Sequence, residues 1–206
     1  MKIVIGLLLA SSAPFIWPAI LTVRGTGGWS TAGLELLPMV AVFVVLLWGA
    51  VTLLSWLFRL VLRRPPANQS SRFPQIAIGI IGGVSLGGWI GGELRMYGFE
   101  LAAERAQPVV AAVEKYVEVN GQPPKELTEL VPDYLSHMPQ KLPPLEIVTD
   151  EGKLAEYGDN SWALTALVSR AMMNWDRFIY VPDGKYPGNG FGGTLERVGG
   201  WVYVHE

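Results

Sequence analysis

Gly79, Gly83, Gly87 and Gly91 recur every four residues through an apolar stretch. A four-residue step puts all four on one face of a helix, where the missing side chains admit a second helix at close range. Ile76, Ile78, Ile80, Ile81, Val84, Leu86, Trp89 and Ile90 cover the remaining surface. The stretch therefore predicts a membrane-spanning helix built to pack against another. Its partner is either one of the chain's own spans or the same face of a second copy, a homo-oligomer through this third span. No charged residue lies within 75–92, which argues against an ion path.

The charge distribution divides the chain. Residues 1–92 carry six basic groups against the single acid Glu35, whereas residues 93–206 carry ten basic against seventeen acidic groups. Mean hydropathy is positive, too high for an ordinary water-soluble domain. Two solvents are implied, with their boundary near Glu93: a membrane domain, 1–92, and a water-exposed domain, 93–206. An acidic outer domain argues against nucleic acid as a partner, and the lipid bilayer is the partner expected for the first part. The absence of cysteine rules out disulfides and thiolate metal sites.

Three spans are expected, at 3–23, 36–58 and 75–92, each near the ~20 residues that cross ~30 Å of hydrocarbon. The first also has features of a cleavable signal peptide, with Lys2 before an apolar run and small residues at Ser11 and Ala13. Its apolarity continues through Leu21, beyond a usual signal core, which favours an uncleaved anchor. The linker 59–74 holds Arg59, Arg63, Arg64 and Arg72 and no acid, while 24–35 holds Arg24 and Glu35. Basic short loops stay in the cytoplasm, so the N-terminus is expected inside and 93–206 outside. Trp29, Trp56 and Trp89 near the span borders fit interfacial anchoring, and Trp48 fits packing within a span.

Beyond Glu93 the helical pattern continues. Phe99, Ala103, Ala106, Val110, Val113 and Val117 form an apolar stripe widened by Val109 and Tyr116. Asn120-Gly121 predicts its C-terminal cap and Pro123-Pro124 its end; Pro108 is expected to kink or split it. A short amphipathic segment occupies 125–131. Five β-type runs come next, at 145–148, 162–168, 177–181, 195–198 and 201–204, separated by turn residues. The fold class expected is three transmembrane helices plus an α+β domain, a long helix laid on a small antiparallel sheet.

The stretch from Ala106 through Tyr116, Gly121 and Pro123-Pro124 to Leu127, Leu130-Val-Pro-Asp-Tyr-Leu135 and Pro139 resembles the pseudopilins of type II secretion, the major pseudopilin above all. The resemblance implies a pilin-like head on a spine helix, in the bacterial inner membrane with the head in the periplasm, and envelope or secretion and pilus proteins as partners. Pseudopilins carry one N-terminal span after a basic leader and a Gly-Phe-Thr-Leu-x-Glu processing site. Here two spans lie upstream, and Gly91-Gly92-Glu93-Leu94-Arg95 does not supply such a site. The fold is therefore carried over and the filament is not.

No catalytic constellation stands out. Gly188-Asn189-Gly190-Phe191-Gly192-Gly193 satisfies a glycine-rich pattern, but residues 194–203 beyond it read as a hairpin and not a phosphate-binding helix. Pseudopilin heads hold calcium in a loop of this region; Asp183 and Asn189 offer two side-chain oxygens where six to eight are needed. No metal or other cofactor is expected. His137 and His205 lack partners in ligand spacing, and Asp176-Arg177 reads as an ion pair or a solvated strand end. Asp183, Tyr186, Asn189 and Phe191 are the candidate binding loop. The expected function is a non-enzymatic, membrane-anchored interaction module. The alternatives are an accessory of a type II secretion or type IV pilus system and, third, an envelope enzyme.

Overall fold

The computed structural model describes residues 1–31, 36–62, 72–169, 174–187 and 190–205. Three helices are long and apolar enough to cross a membrane: α1 (Lys2–Arg24), α2 (Leu36–Val61) and α3 (Arg72–Asn120). The chain divides into two compact units, one of Met1–Trp17 with Gly33–Gly92 and one of Pro18–Ala32 with Glu93–Glu206.

In the first unit the glycine column of α3 lies against α1. A Cβ at Gly79 would fall 2.8 Å from Leu7 Cβ, one at Gly83 2.1 Å from Ser11 Oγ, one at Gly87 2.6 Å from Ser12 Cα and one at Gly91 2.7 Å from the Phe15 carbonyl oxygen. Residue numbers rise together along both helices, so α1 and α3 are parallel. Only glycine permits this approach, because every other residue would drive its Cβ into atoms of the neighbouring helix. The column, for which a second copy is the alternative partner, is filled here by the chain's own first helix. Helix α2 meets the start of α3, where Trp48 and Phe73 pack edge to face at 4.8 Å beside Gly49. Phe43, Leu54 and Phe58 are exposed. Arg63, Arg64 and Glu35, which set the expected orientation, lie outside the described residues.

The second unit is an antiparallel sheet packed on the rest of α3. Its strands are β1 (Glu146–Val148), β2 (Ala163–Leu167), β3 (Arg177–Tyr180), β4 (Thr194–Val198) and β5 (Trp201–His205), in the order β1-β2-β3-β5-β4. They coincide with the five β-type runs to within a residue or two. Strand alternation gives two apolar faces. Leu164, Ala166, Phe178, Trp201 and Tyr203 meet Phe99, Ala102, Ala106, Val109 and Val113 of α3 in the main core. Ala163, Ile179, Val202 and Val204 point the other way and are covered by Leu154 and Tyr157, with Tyr186 and Phe191 partly buried beside them. That cover includes α4 (Glu151–Leu154) and the turn after it, neither of which the sequence pattern signals.

Two expectations are corrected. Helix α3 is not split at Pro108 but continues to Asn120. Pro108 and Glu104, whose carbonyl the ring leaves without a helical donor, are both exposed, so water can serve that carbonyl. Trp29 is no free interfacial anchor, because its ring packs 5.6 Å from Phe99 against the core of the second unit. The end of α1 likewise belongs to that unit: a Cβ at Gly98 would fall 2.7 Å from Thr22 Cγ2. The helix cap holds as expected, with Gly121 at φ +72° and its N–H donating to Val117 O at 2.8 Å.

Candidate functional site

The loop expected to bind a partner is largely engaged with its own domain. Asp183 accepts hydrogen bonds from Lys185 N at 3.0 Å and Asn160 Nδ2 at 3.0 Å. These donations, the backbone one foremost, hold its carboxyl below the usual carboxylate range. Tyr186 donates its hydroxyl to Gly200 O at 2.7 Å, and Arg197 lies over its ring at 5.2 Å. Burial pushes the Tyr186 hydroxyl up to about 12. Phe191 adopts a left-handed conformation at φ +56°, which seats its ring 5.5 Å from Tyr157. Tyr186 and Phe191 thus share the small outer core, whereas Asp183 pairs with Asn160. Asn189 lies outside the described residues.

An open groove of about 460 Å³ runs beside this loop, lined by Ala155, Glu156, Gly158, Arg177, Pro187 and Phe191. A second, of about 300 Å³, is lined by Glu146, Lys153, Glu156, Thr165 and Arg177 among others. Glu156 and Arg177 are common to both and bridge at 3.2 Å, and Arg177 Nη2 also donates to Phe191 O at 3.1 Å. Glu146, Lys153, Glu156 and Arg177 place both signs of charge in the grooves. This pattern suits a zwitterionic or mixed-charge surface better than a site focused on one sign of charge. His205 Nε2 lies 2.9 Å from Glu196 Oε2, and His137 Nδ1 lies 3.0 Å from Ser136 Oγ.

A second constellation was not visible in the sequence. Arg95, at the start of the outer part of α3, is 4% exposed. Its guanidinium donates to Gly28 O at 2.8 Å, Trp29 O at 2.7 Å and Val168 O at 2.6 Å, and its carbon lies 5.1 Å from the Phe99 ring centroid. Tyr203 Oη sits 3.4 Å from the guanidinium and donates to Asp176 Oδ2 at 2.5 Å. Burial, with the Asp176 charge adding to it, pushes the Tyr203 hydroxyl far above its ordinary value. Asp176 is 1% exposed, so the solvated strand end expected from sequence does not describe it. The signal that could have found Arg95 is its register: it precedes Phe99 by four residues and so falls on the buried stripe.

One guanidinium therefore ties together the segment after α1, the end of β2, strand β5 and helix α3. A buried charge held by three carbonyls and bridged to a carboxylate by a tyrosine is a clamp, since its donors are spent on the protein itself. No protein-family model, curated protein or solved structure matches this chain.

Proposed function

We propose that the chain is an inner-membrane protein whose three helices anchor a periplasmic, pilin-like head, and that the head is a non-enzymatic interaction module. The observation that carries this reading is the parallel pairing of α1 with α3 along the glycine column. Parallel neighbours start on the same side of a bilayer, so α2 must return the chain across it between them, and the polar unit comes after the third crossing. With the basic linker inside, that unit lies outside. The surface offered to a partner is the mixed-charge groove pair around Glu156 and Arg177. The topology is tested by fusing paired reporters, one active only in the cytosol and one only in the periplasm, after Glu206. A cytosolic signal refutes the orientation. The interaction is tested with a photo-crosslinking residue at Lys153, which is exposed beside the groove; adducts with an envelope protein are expected, and their absence refutes the groove as the contact.

A second reading, an accessory of a secretion or pilus machine, draws support from one feature. The run that resembles pseudopilins ends α3 at Asn120 and sends Leu127 and Leu130 into the core as a single 3₁₀ turn. Pilin-type proteins among the Lys153 adducts would favour it over a general binding role.

A further inference from the structure

We propose that the free edge of β1 takes up an extended segment of a partner protein, apolar and basic by turns, as an added strand of the sheet. The inference rests on the reading of the head as an interaction module and names how that module is occupied.

The backbone of β1 faces outward at Ile147. Val168 N donates to Asp176 O at 2.8 Å, one step beyond the Leu167–Arg177 pair in the register of β2 and β3. Bonded pairs alternate along an antiparallel ladder, so Leu164 and Ala166 bond to β3. Ala163 and Thr165 then bond to Val148 and Glu146 of β1. The far side of the sheet gives the same phase. The two-residue turn Gly199-Gly200 closes on a bonded Val198–Trp201 pair, and alternation across β5 and β3 returns the same bonded residues in β2. Ile147, between the two bonded residues of β1, therefore aims its N–H and C=O away from the sheet. Among the described residues neither group has a hydrogen-bond partner.

A groove opens on each face of this edge. On the face toward α3, an open groove of about 320 Å³ is lined by Lys125, Leu127, Thr128, Leu145 and Ile147 among others. Leu127 is buried there, and Leu145 and Ile147 pack partly buried against the main core, so its floor is apolar. On the opposite face lies the groove of about 300 Å³ that includes Glu146, Val148 and Lys153. Successive side chains of an added strand point to opposite faces and enter the two grooves in turn. A sheet edge binds a peptide in this way, with main-chain hydrogen bonds supplying affinity and the flanking pockets supplying specificity. The other edge, β4, is longer, but its exposed Glu196 and Arg197 are engaged with His205 at 2.9 Å and with the Tyr186 ring at 5.2 Å.

Charge selects the partner. Glu146 is exposed, and its cross-strand neighbour on β2 is the neutral Thr165. Among the described residues it has no ion pair. A cation opposite it on the added strand is favourable, whereas an anion there is not. A second copy of this chain fits poorly, because it would bring together two domains in each of which seventeen acidic groups outweigh ten basic ones.

The probes are fluorophore-labelled peptides of alternating valine and lysine, added to the full-length protein in micelles and read by anisotropy. Methylating the amide nitrogen of the central valine should weaken binding to the wild-type protein about fivefold, the worth of one backbone hydrogen bond. Ile147→Pro removes the outward N–H without breaking a ladder bond, and Ile147→Ala removes the same side chain but keeps the N–H. The proline variant should bind about fivefold more weakly than the alanine variant, with near-ultraviolet circular dichroism verifying both folds. A valine–glutamate peptide should bind more weakly than the valine–lysine one. Absent binding of the valine–lysine peptide, or equal binding of its methylated form, overturns this inference; adducts at Lys153 would then still leave the head an interaction module. Equal affinity for the glutamate peptide overturns the assigned chemistry. A wild-type dimer that Ile147→Pro dissociates and Ile147→Ala does not would make the occupant a second copy and overturn the foreign segment.

Discussion

Tyr203 donates its hydroxyl to Asp176 Oδ2 at 2.5 Å while its ring lies beside the Arg95 guanidinium, 5.8 Å from centroid to carbon. The hydroxyl spans the gap between a buried cation and a buried anion, and neither charge is solvated enough to stand alone. Replacing Arg95 by Met keeps the volume, leaves the carbonyls of Gly28, Trp29 and Val168 without this donor and removes the cation beside the Tyr203 hydroxyl. The expected cost is about 3–5 kcal/mol of head stability, the range for removing one member of a buried charge pair. Arg95→Lys should recover only part of it, because one ammonium cannot span carbonyls from separate segments as a planar fork does. Chemical denaturation followed by near-ultraviolet circular dichroism checks both, and a wild-type midpoint for Arg95→Met would refute the clamp.

The glycine column makes a position-specific prediction. Gly83→Val forces a Cβ onto Ser11 and the Leu8 backbone, whereas a Cβ at Gly82, one residue earlier, meets nothing within 4 Å. Both substitutions change intrinsic propensity equally, so their difference isolates the contact with α1. Gly83→Val should destabilise the detergent-solubilised protein by about 1–3 kcal/mol, the usual penalty of overpacking, while Gly82→Val leaves its thermal midpoint near wild type. Equal effects would mean that the column is not what α1 packs on.

Periodicity made most of the architecture legible. The stripe from Phe99 to Val117 and the alternation in β2, β3 and β5 each name the face that is buried, because burial against water is what produces those patterns. Two features escaped for opposite reasons. Arg95 is a charge inside an apolar register, and its partners Val168, Asp176 and Tyr203 are distant in sequence, the nearest of them 73 residues along the chain, so pattern alone treats it as solvated. The outer face of the sheet is covered by α4, whose four residues are too few to show a helical period. The binding loop fared similarly. Its aromatic residues suggested an exposed surface, but Tyr186 and Phe191 turn inward because Ile179, Val202 and Val204 present apolar area that the single long helix cannot reach.

Tyr186 predicts an alkaline limit. Its hydroxyl is a neutral donor to Gly200 O, and burial raises its folded value from 10.0 to about 12. Protonated tyrosine is thus favoured in the folded state. The associated stability is fully present below pH 10, the unfolded value, and is lost as pH rises from there through about 12. Tyr186→Phe should flatten that loss between pH 10 and about 12, leaving the share that Tyr203, also raised by burial, adds. At neutral pH it should cost about 1 kcal/mol for the missing hydrogen bond. Denaturation midpoints measured from neutral pH up to about 12 decide the matter, and parallel slopes for both proteins would refute it.

Retention of α1 is the outcome predicted from the contacts its residues make at both ends. Ser12 and Phe15 fill the space over Gly87 and Gly91. Farther along, the Thr22 hydroxyl donates to Gly28 O at 2.9 Å, the same carbonyl that accepts from Arg95. Cleavage after Ala13, the small residue best placed for a signal peptidase, would strip Gly79, Gly83 and Gly87 of their cover and leave that face of the helix open. The mature protein is therefore expected to keep its first helix. Intact mass spectrometry of the membrane-extracted chain reads this directly: a species starting at or before Lys2 is expected, and one starting near Pro14 would show that α1 is a signal peptide and that the column of α3 serves another helix.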